Sequence, residues 1–388
     1  MPLLSLSRAS AGFIAVLVGY ASSAAIVFQA VSTLGASSEL ISSWFWSLGI
    51  GLGITCIGLS YLFKQPVVTA WSTPGAAILV VGLEGLSMSQ AVGVFLFSSA
   101  LIFICGITGI FDRLTRVIPI QLAAAMLAGV LFKFGVDIFT SLESNTILVV
   151  SMLAVFFLVK PLSARYVVPL TLLVGFSVAF FLGQLNFQSV AFEFATPVFT
   201  APSFSLSAII GVGIPLFLVT MASQNMPGIA VIRANGYTTP SSPLISATGL
   251  TGLILAPFGG FAFNLAAITA AICLSKEADP DPKTRFWAAI WAGIFYLFAG
   301  TFAVFVVGLL ETLPKALILA IAGLALVGTI ANSLNTALSN EPTREAAVVT
   351  FLVTASGFSY WGIGSAFWAI IIGSLYLLCH RYVSLKRN

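Results

Sequence analysis

The chain has 388 residues, of which 59% are hydrophobic and 7% charged, with a net charge of +4; its mean hydropathy is +1.09. Soluble domains carry about 25% charged residues, so a soluble enzyme, a nucleic-acid-binding protein and a disordered chain are excluded. The 33 Phe and 34 Gly fit a helical protein that crosses a bilayer many times, where Gly lets helices approach closely.

A helix needs about 20 apolar residues to cross the hydrocarbon core. In chain order the charge-free windows are 9–38, 40–63, 65–83, 85–111, 117–132, 144–159, 166–192, 194–232, 234–275, 286–310, 316–340 and 346–380. Two windows are long enough for two crossings: 234–275 divides at Pro257-Phe258-Gly259-Gly260, and 346–380 near Ser356-Gly357-Phe358-Ser359. Fourteen crossings are predicted. The polar N-terminal stretch is short and the first apolar run is long enough to span, so no cleavable leader is expected.

The basic residues test this count. With the N-terminus in the cytoplasm, Arg8, Lys64, Arg113, Arg116, Lys160, Arg165, Arg233, Lys276, Lys283, Arg285, Arg344, Arg381, Lys386 and Arg387 all fall inside, and only Lys133 and Lys315 fall outside. That asymmetry predicts cytoplasmic N- and C-termini.

Two crossings do not read as ordinary helices. In Gln65-Pro66-Val67-Val68-Thr69-Ala70-Trp71-Ser72-Thr73-Pro74-Gly75 the β-branched run after Pro66 predicts extended chain, and Ser72-Thr73-Pro74 predicts a capped helix start. In Pro257-Phe258-Gly259-Gly260-Phe261-Ala262-Phe263-Asn264-Leu265 the glycines and alternating Phe predict a second extended piece, with Asn264 capping a short helix that ends near Ser275. The two pieces occupy corresponding places in the two halves and run in opposite directions. Broken helices so placed point to the central site of a transporter built from inverted repeats. The predicted fold is therefore an all-α polytopic membrane protein of two inverted seven-span repeats, with spans 3 and 10 each a short strand plus a half-helix.

Irregular backbone inside a membrane must be paired or line a cavity. Two extended pieces can pair as a ribbon, setting two helix N-termini face to face. Each offers free N–H groups and partial positive charge, so the natural guest is an anion such as a carboxylate. Acids are absent between Glu39 and Glu84 and between Glu193 and Glu277, so nothing in those stretches repels one. The candidate binding residues are Tyr20, Ser22 and Ser23 on span 1; Thr73, Pro74 and Gly75 on span 3; Ser223, Gln224 and Asn225 on span 8; and Phe261, Phe263, Asn264 and Leu265 on span 10. Gln29, Phe28, Trp71 and Phe258 extend the polar and apolar lining. The aromatic rings suit a guest with a flat apolar body. Each has a plainer reading: Ser22 and Ser23 bonding their own helix, the Phe rings facing lipid or core, Asn264 serving as a cap alone.

Cys56, Cys105, Cys273 and Cys379 form no CxxC pair, His380 is the sole histidine, and no HExxH occurs. No metal, cofactor or intramembrane enzyme chemistry is expected. Asp279-Pro280-Asp281-Pro282 reads as a loop. No charged ring or carbonyl-filter repeat suggests a channel.

At Ser72-Thr73-Pro74-Gly75-Ala76-Ala77, at Ala230-Val231-Ile232-Arg233-Ala234-Asn235-Gly236-Tyr237, at Glu277-Ala278-Asp279-Pro280-Asp281-Pro282, and above all at Ala256-Pro257-Phe258-Gly259-Gly260-Phe261-Ala262-Phe263-Asn264-Leu265-Ala266-Ala267-Ile268, the chain resembles the benzoate:proton symporter (BenE) family. The resemblance covers the whole chain. It implies uptake of benzoate or a related aromatic carboxylate with protons across the bacterial inner membrane, and a fold similar to that of the uracil permease. That fold implies a first repeat over 1–185 and a second over 194–388, a core domain of 9–116 and 206–310, and a gate domain of 117–185 and 315–382. A homodimer is compatible with it. Nucleobase permeases of this architecture carry acids on spans 8 and 10; here Ser223 stands on span 8 and span 10 has none, which favours an anion. A permease of the same fold for a nucleobase or another small organic anion is the alternative. The proton-coupling candidate is Asp137, whose plainer role is an interfacial partner of Lys133; the substrate carboxylate itself is the other proton carrier considered.

Overall fold

The computed structural model describes residues 5–110, 120–163, 166–187, 190–361 and 363–387, with backbone alone from residue 380. Arg113, Arg116 and Arg165, and the side chains of His380, Arg381, Lys386 and Arg387, lie outside the described residues. The first half runs α1 (Leu6–Ser32), α2 (Ser38–Phe63), β1 (Thr69–Trp71), α3 (Thr73–Gly82), α4 (Met88–Thr108), α5 (Ile120–Ser144), α6 (Thr146–Val159) and α7 (Val167–Phe181). The second runs α8 (Leu206–Ala234), α9 (Ser241–Leu255, extended by a 3-10 turn), β2 (Phe263–Leu265), α10 (Ile268–Leu274), α11 (Phe286–Thr301), α12 (Ala303–Thr312), α13 (Lys315–Leu338), α14 (Arg344–Ala355), the hairpin β3 (Ser359–Tyr360) and β4 (Ile363–Gly364), and α15 (Ser365–Arg387).

Among the described residues seven helices are long and apolar enough to cross a membrane: α1, α2, α4, α5, α8, α9 with its 3-10 turn, and α13. The pair α11 and α12 passes the same test together but is bent by 71°, so window 286–310 is not one straight span. The bend falls at Phe302, between helices ending at Thr301 and starting at Ala303. The charge-free window 117–132 also proves too short. Its helix continues through Lys133 and Asp137 to Ser144, since a lone pair of opposite charges four residues apart does not stop a helix. The break near Ser356 falls where the sequence placed it, as the hairpin of β3 and β4.

Polar turns set the helix starts. Ser37 accepts the Leu40 N–H and opens α2, and Ser87 with Gln90 forms a capping box on α4. Small residues set the packing distances. A Cβ on Gly49 of α2 would stand 2.5 Å from the Gly300 Cα of α11, so these backbones touch as close membrane helices do. In the same way α4 packs on α9, α5 on α13 and α14, and α1 on α11, α3 and α10.

The extended pieces meet as expected. β1 and β2 pair antiparallel, Thr69 opposite Leu265, Ala70 opposite Asn264 and Trp71 opposite Phe263. A two-stranded ribbon leaves two open edges, which are costly in a low-dielectric interior. On the β1 side α2 serves the chain: Ser60 Oγ donates to the Val67 carbonyl and accepts the Val67 N–H, while the Thr69 N–H reaches Cys56 Sγ at 3.2 Å. On the β2 side the Leu265 N–H donates to Asn225 Oδ1 of α8 at 3.0 Å. Ala262 turns the chain into β2 with φ 44, a left-handed conformation unusual for alanine. Its carbonyl accepts both the Ser72 N–H and Asn264 Nδ2.

Candidate functional site

The two short helices begin on either side of this ribbon. α3 begins as predicted: Ser72 is the N-cap, its Oγ accepting the Gly75 N–H, with Pro74 in the first turn. α10 does not. Asn264 is no cap, because it lies inside β2, four residues before the helix starts at Ile268; Nδ2 is spent on the Ala262 carbonyl, and Oδ1 is buried without a partner among the described residues. The N-cap is Ala267, which has no side chain to offer. The first-turn amides of α10 thus lack a side-chain acceptor.

A cavity of about 1130 Å³ opens against these starts. Its wall includes Ser22 and Ser23 of α1, Trp71 of β1, Thr73 of α3, Ser223 and Gln224 of α8, Thr269 of α10 and Tyr296 of α11. It is lined by α1, α8 and α10 and by α5, α6, α7 and α13, and takes in Ile120, Lys160, Val167, Ser275 and Thr336. Lys160 is the one charged residue in this wall, among the described residues.

The serines largely take the plainer reading. Ser22 and Ser23 both donate to the Gly19 carbonyl, at 3.0 and 2.8 Å, and Ser223 donates to Val219 at 2.7 Å. Ser23 Oγ also accepts Trp71 Nε1–H at 2.8 Å, which fixes the indole at the cavity wall. Behind the indole stands Tyr20, edge-on to Trp71 with ring centroids 4.9 Å apart, its hydroxyl buried and unpartnered among the described residues. Gly19 lets Tyr296 in: a Cβ there would meet the Tyr296 hydroxyl at 3.1 Å and Thr269 Cγ2 at 3.8 Å. Thr269 Oγ1 is likewise buried with no partner.

Of the residues singled out in sequence, the structure therefore brings Ser22, Ser23, Thr73, Ser223 and Gln224 to the cavity wall, together with Trp71. Tyr20 lies one layer behind. Pro74 and Gly75 are buried in the first turn of α3. Phe261 packs between Trp44 and Phe95, and Phe263 against Gly51 and Gly260; both rings belong to the core rather than the cavity wall. Leu265 packs against Gly228, and Asn225 holds the edge of β2. Asp137, half-buried on α5 beside Lys133 and Lys315, is not in the wall either.

Thr269 and Tyr296 were not read from the sequence. A threonine in the first turn of the second half-helix, and a lone tyrosine inside the window 286–310, were the available signals. The helical irregularity at the site also went unread. Residues Met221–Asn225 form a π-turn, the Met226 N–H bonding the Met221 carbonyl, just before Pro227. A proline cannot bond the carbonyl four residues back and crowds it, so the turn widens. The same arrangement recurs at Ile209–Gly213 before Pro215.

Outside the cavity, the loop after α10 is a charged hub. Arg285 donates to the carbonyls of Leu274, Asp279 and Pro280. Asp279 pairs with Arg8 at the start of α1. Burial disfavours the Asp279 charge, but the Thr284 hydroxyl, the Asp281 N–H and Arg8 together hold its carboxyl below the usual value.

The family model described as benzoate membrane transport protein, BenE, matches residues 3–379. The inner membrane protein YdcO of Escherichia coli (strain K12) is 51% identical over 365 residues, covering 94% of this chain and 93% of that one. The benzoate membrane transport protein of Acinetobacter baylyi is 41% identical over 371 residues, covering 96% and 94%. Among solved structures, the transmembrane domain of a cyanobacterium bicarbonate transporter, BicA, superposes with TM-score 0.59 at 12% identity, over 97% of this chain and 96% of that one. SLC26A9 superposes with TM-score 0.62 at 13% identity over 96% of this chain, which spans 65% of its length. At such identities the likeness is one of fold.

Proposed function

The chain belongs to the BenE benzoate membrane transport family and is thus a membrane transporter rather than an enzyme; from that premise we propose that it carries benzoate, or a related aromatic carboxylate, together with protons by alternating access across the bacterial inner membrane. The observation that carries this reading is the cavity: neutral donors and an indole surround the start of two short helices in its wall, and among the described residues no acid lines it. A carboxylate would sit against Thr73, Thr269 and the first-turn amides, with its ring beside Trp71 and Tyr296. Amide ends of helices favour an anion by ~0.3–2 kcal/mol each, and a hydroxyl bonding a charged group adds about 1.5–3 kcal/mol. A nucleobase, which asks for acceptors of its N–H groups, finds no carboxylate in this wall.

The proposed architecture has fourteen crossings in two inverted repeats, 1–185 and 194–388, with short elements such as α3 and α10 each counted as part of one crossing. The packing supports it: α2 against α11 mirrors α9 against α4, and α5 against α13 joins the corresponding elements of the two halves. The core domain would comprise 9–116 and 206–310 and the gate domain 117–185 and 315–382, with the cavity between them. The distribution of basic residues supports cytoplasmic termini, with the part of the cavity wall at Lys160, Ser275 and Thr336 toward the same side. This geometry then represents an inward-open state, and rocking of the core against the gate would open the site outward.

The test is uptake into proteoliposomes with an imposed pH gradient, using benzoate, salicylate and uracil. Gradient-driven benzoate uptake is expected. Uptake of uracil but not benzoate would replace the substrate, and benzoate uptake indifferent to the gradient would remove the proton.

A further inference from the structure

The cavity has a second place suited to an aromatic anion, on the part of its wall made by α6 and α7. At the C-terminal end of α6, Lys160 Nζ stands 4.7 Å from the centroid of the Phe156 ring. Both residues line the cavity, beside Val167 and Val168 of α7. Phe156 is 3% exposed and held in the gate-side apolar cluster with Leu148 and Met152; Lys160 is half-buried. Among the described residues no acid shares the wall to neutralise the ammonium. A low-dielectric cleft lined by a single sign of charge focuses its field and concentrates counter-ions.

We propose that Phe156 and Lys160 form a vestibular subsite for the aromatic carboxylate, occupied between the central site and the aqueous face on which the cavity opens. The pairing of ring and ammonium mirrors that of the guest. The carboxylate meets Nζ, which the buried Phe156 ring supports from behind, and the apolar ring of the guest lies along the half-buried Val168. An aliphatic carboxylate finds only the charge, and a neutral ring only the apolar floor. The subsite stands on the gate side while the short helices stand on the core side, so it is in reach of the central site only in the geometry described here. It would raise the local concentration of guest on that face alone. The inference rests on the aromatic-carboxylate reading above.

The experiment compares inside-out membrane vesicles with intact cells, using benzoate and acetate at two salt concentrations, for the unmodified chain, Lys160→Gln, Lys160→Arg and Phe156→Leu. In inside-out vesicles Lys160→Gln should raise the half-saturating benzoate concentration about three- to fivefold, the range of a half-exposed ion pair, and flatten its salt dependence. Lys160→Arg should retain both. Phe156→Leu should weaken benzoate about two- to threefold and keep the salt dependence. Uptake into intact cells should keep its half-saturation throughout, which also shows that each variant folds. Lys160→Gln vesicles that match the unmodified ones in affinity and salt dependence would overturn the subsite. So would an equal loss on both faces. An unmodified chain that carries no benzoate would instead remove the substrate reading on which the subsite depends.

Discussion

The two short helices are set opposite each other by one ribbon, yet their first turns are built differently. α3 closes its own start: Ser72 caps it, Pro74 removes one amide, and the Gly75 N–H is consumed. α10 leaves its start open: Ala267 caps nothing, and Thr269 Oγ1 is buried beside the cavity without a partner among the described residues. A helix start that satisfies itself needs nothing further, whereas one that does not leaves first-turn amides able to take an anion. The two short helices thus share one ribbon and differ at their starts.

The largest expected effect bears on the frame that both helices share. Asn225→Ala removes the acceptor of the Leu265 N–H and leaves a buried donor, a cost of about 1–3 kcal/mol. A clear fall in the thermal unfolding temperature in detergent is expected, with transport lost alongside. Unchanged stability would mean that the edge of β2 does not depend on α8. Next come the two helix starts themselves. Thr269→Val keeps the shape and deletes the hydroxyl; the half-saturating benzoate concentration should rise about tenfold, as for a hydrogen bond to a charged group, with unfolding unaltered. Ser72→Ala should do the reverse, costing about 1 kcal/mol of stability with a smaller change in affinity. Equal effects of the two substitutions on affinity would erase the distinction drawn between the helices.

How far the sequence carried follows from the same contrast. α3 was legible because its determinants are consecutive: Pro66 with β-branched neighbours extends the chain, and Ser72-Thr73-Pro74 starts a helix by local rules alone. α10 was half legible. The run Gly259-Gly260-Phe261-Ala262-Phe263 announced extended chain, but the helix start was misplaced onto Asn264, because an amide side chain before an alanine run looks like a cap until β2 claims it. The cavity wall was less legible still. Trp71, Thr269 and Tyr296 come from three distant stretches, and only packing at Gly19 brings the last two together. Phe261 and Phe263 look like ring-binding residues in sequence, yet face Trp44 and Gly51, because a ribbon needs a floor before it can present a site.

Two smaller effects sharpen the picture further. Asp137→Asn tests the proton pathway: with Asp137 outside the cavity wall, slowed pH-driven uptake with unchanged benzoate affinity is expected if it carries the proton, and no change assigns the proton to the substrate carboxylate. Asp279→Asn tests the hub. The Asp279 carboxyl is held below its ordinary 3.8, so its contribution is present above that value and is lost as pH falls through the lower, folded one. The variant should unfold at a lower temperature than the unmodified chain at neutral pH, and the gap should close in strong acid.

That hub has a mechanical meaning for the whole transporter. Arg285 grips the last carbonyl of α10, and Asp279 in the same loop grips Arg8 at the foot of α1. The tail of the open-ended helix and the base of a wall helix are thereby riveted into one lever. Under the proposed alternating access, the first turn of α10 with Thr269 would then move together with α1 rather than apart from it.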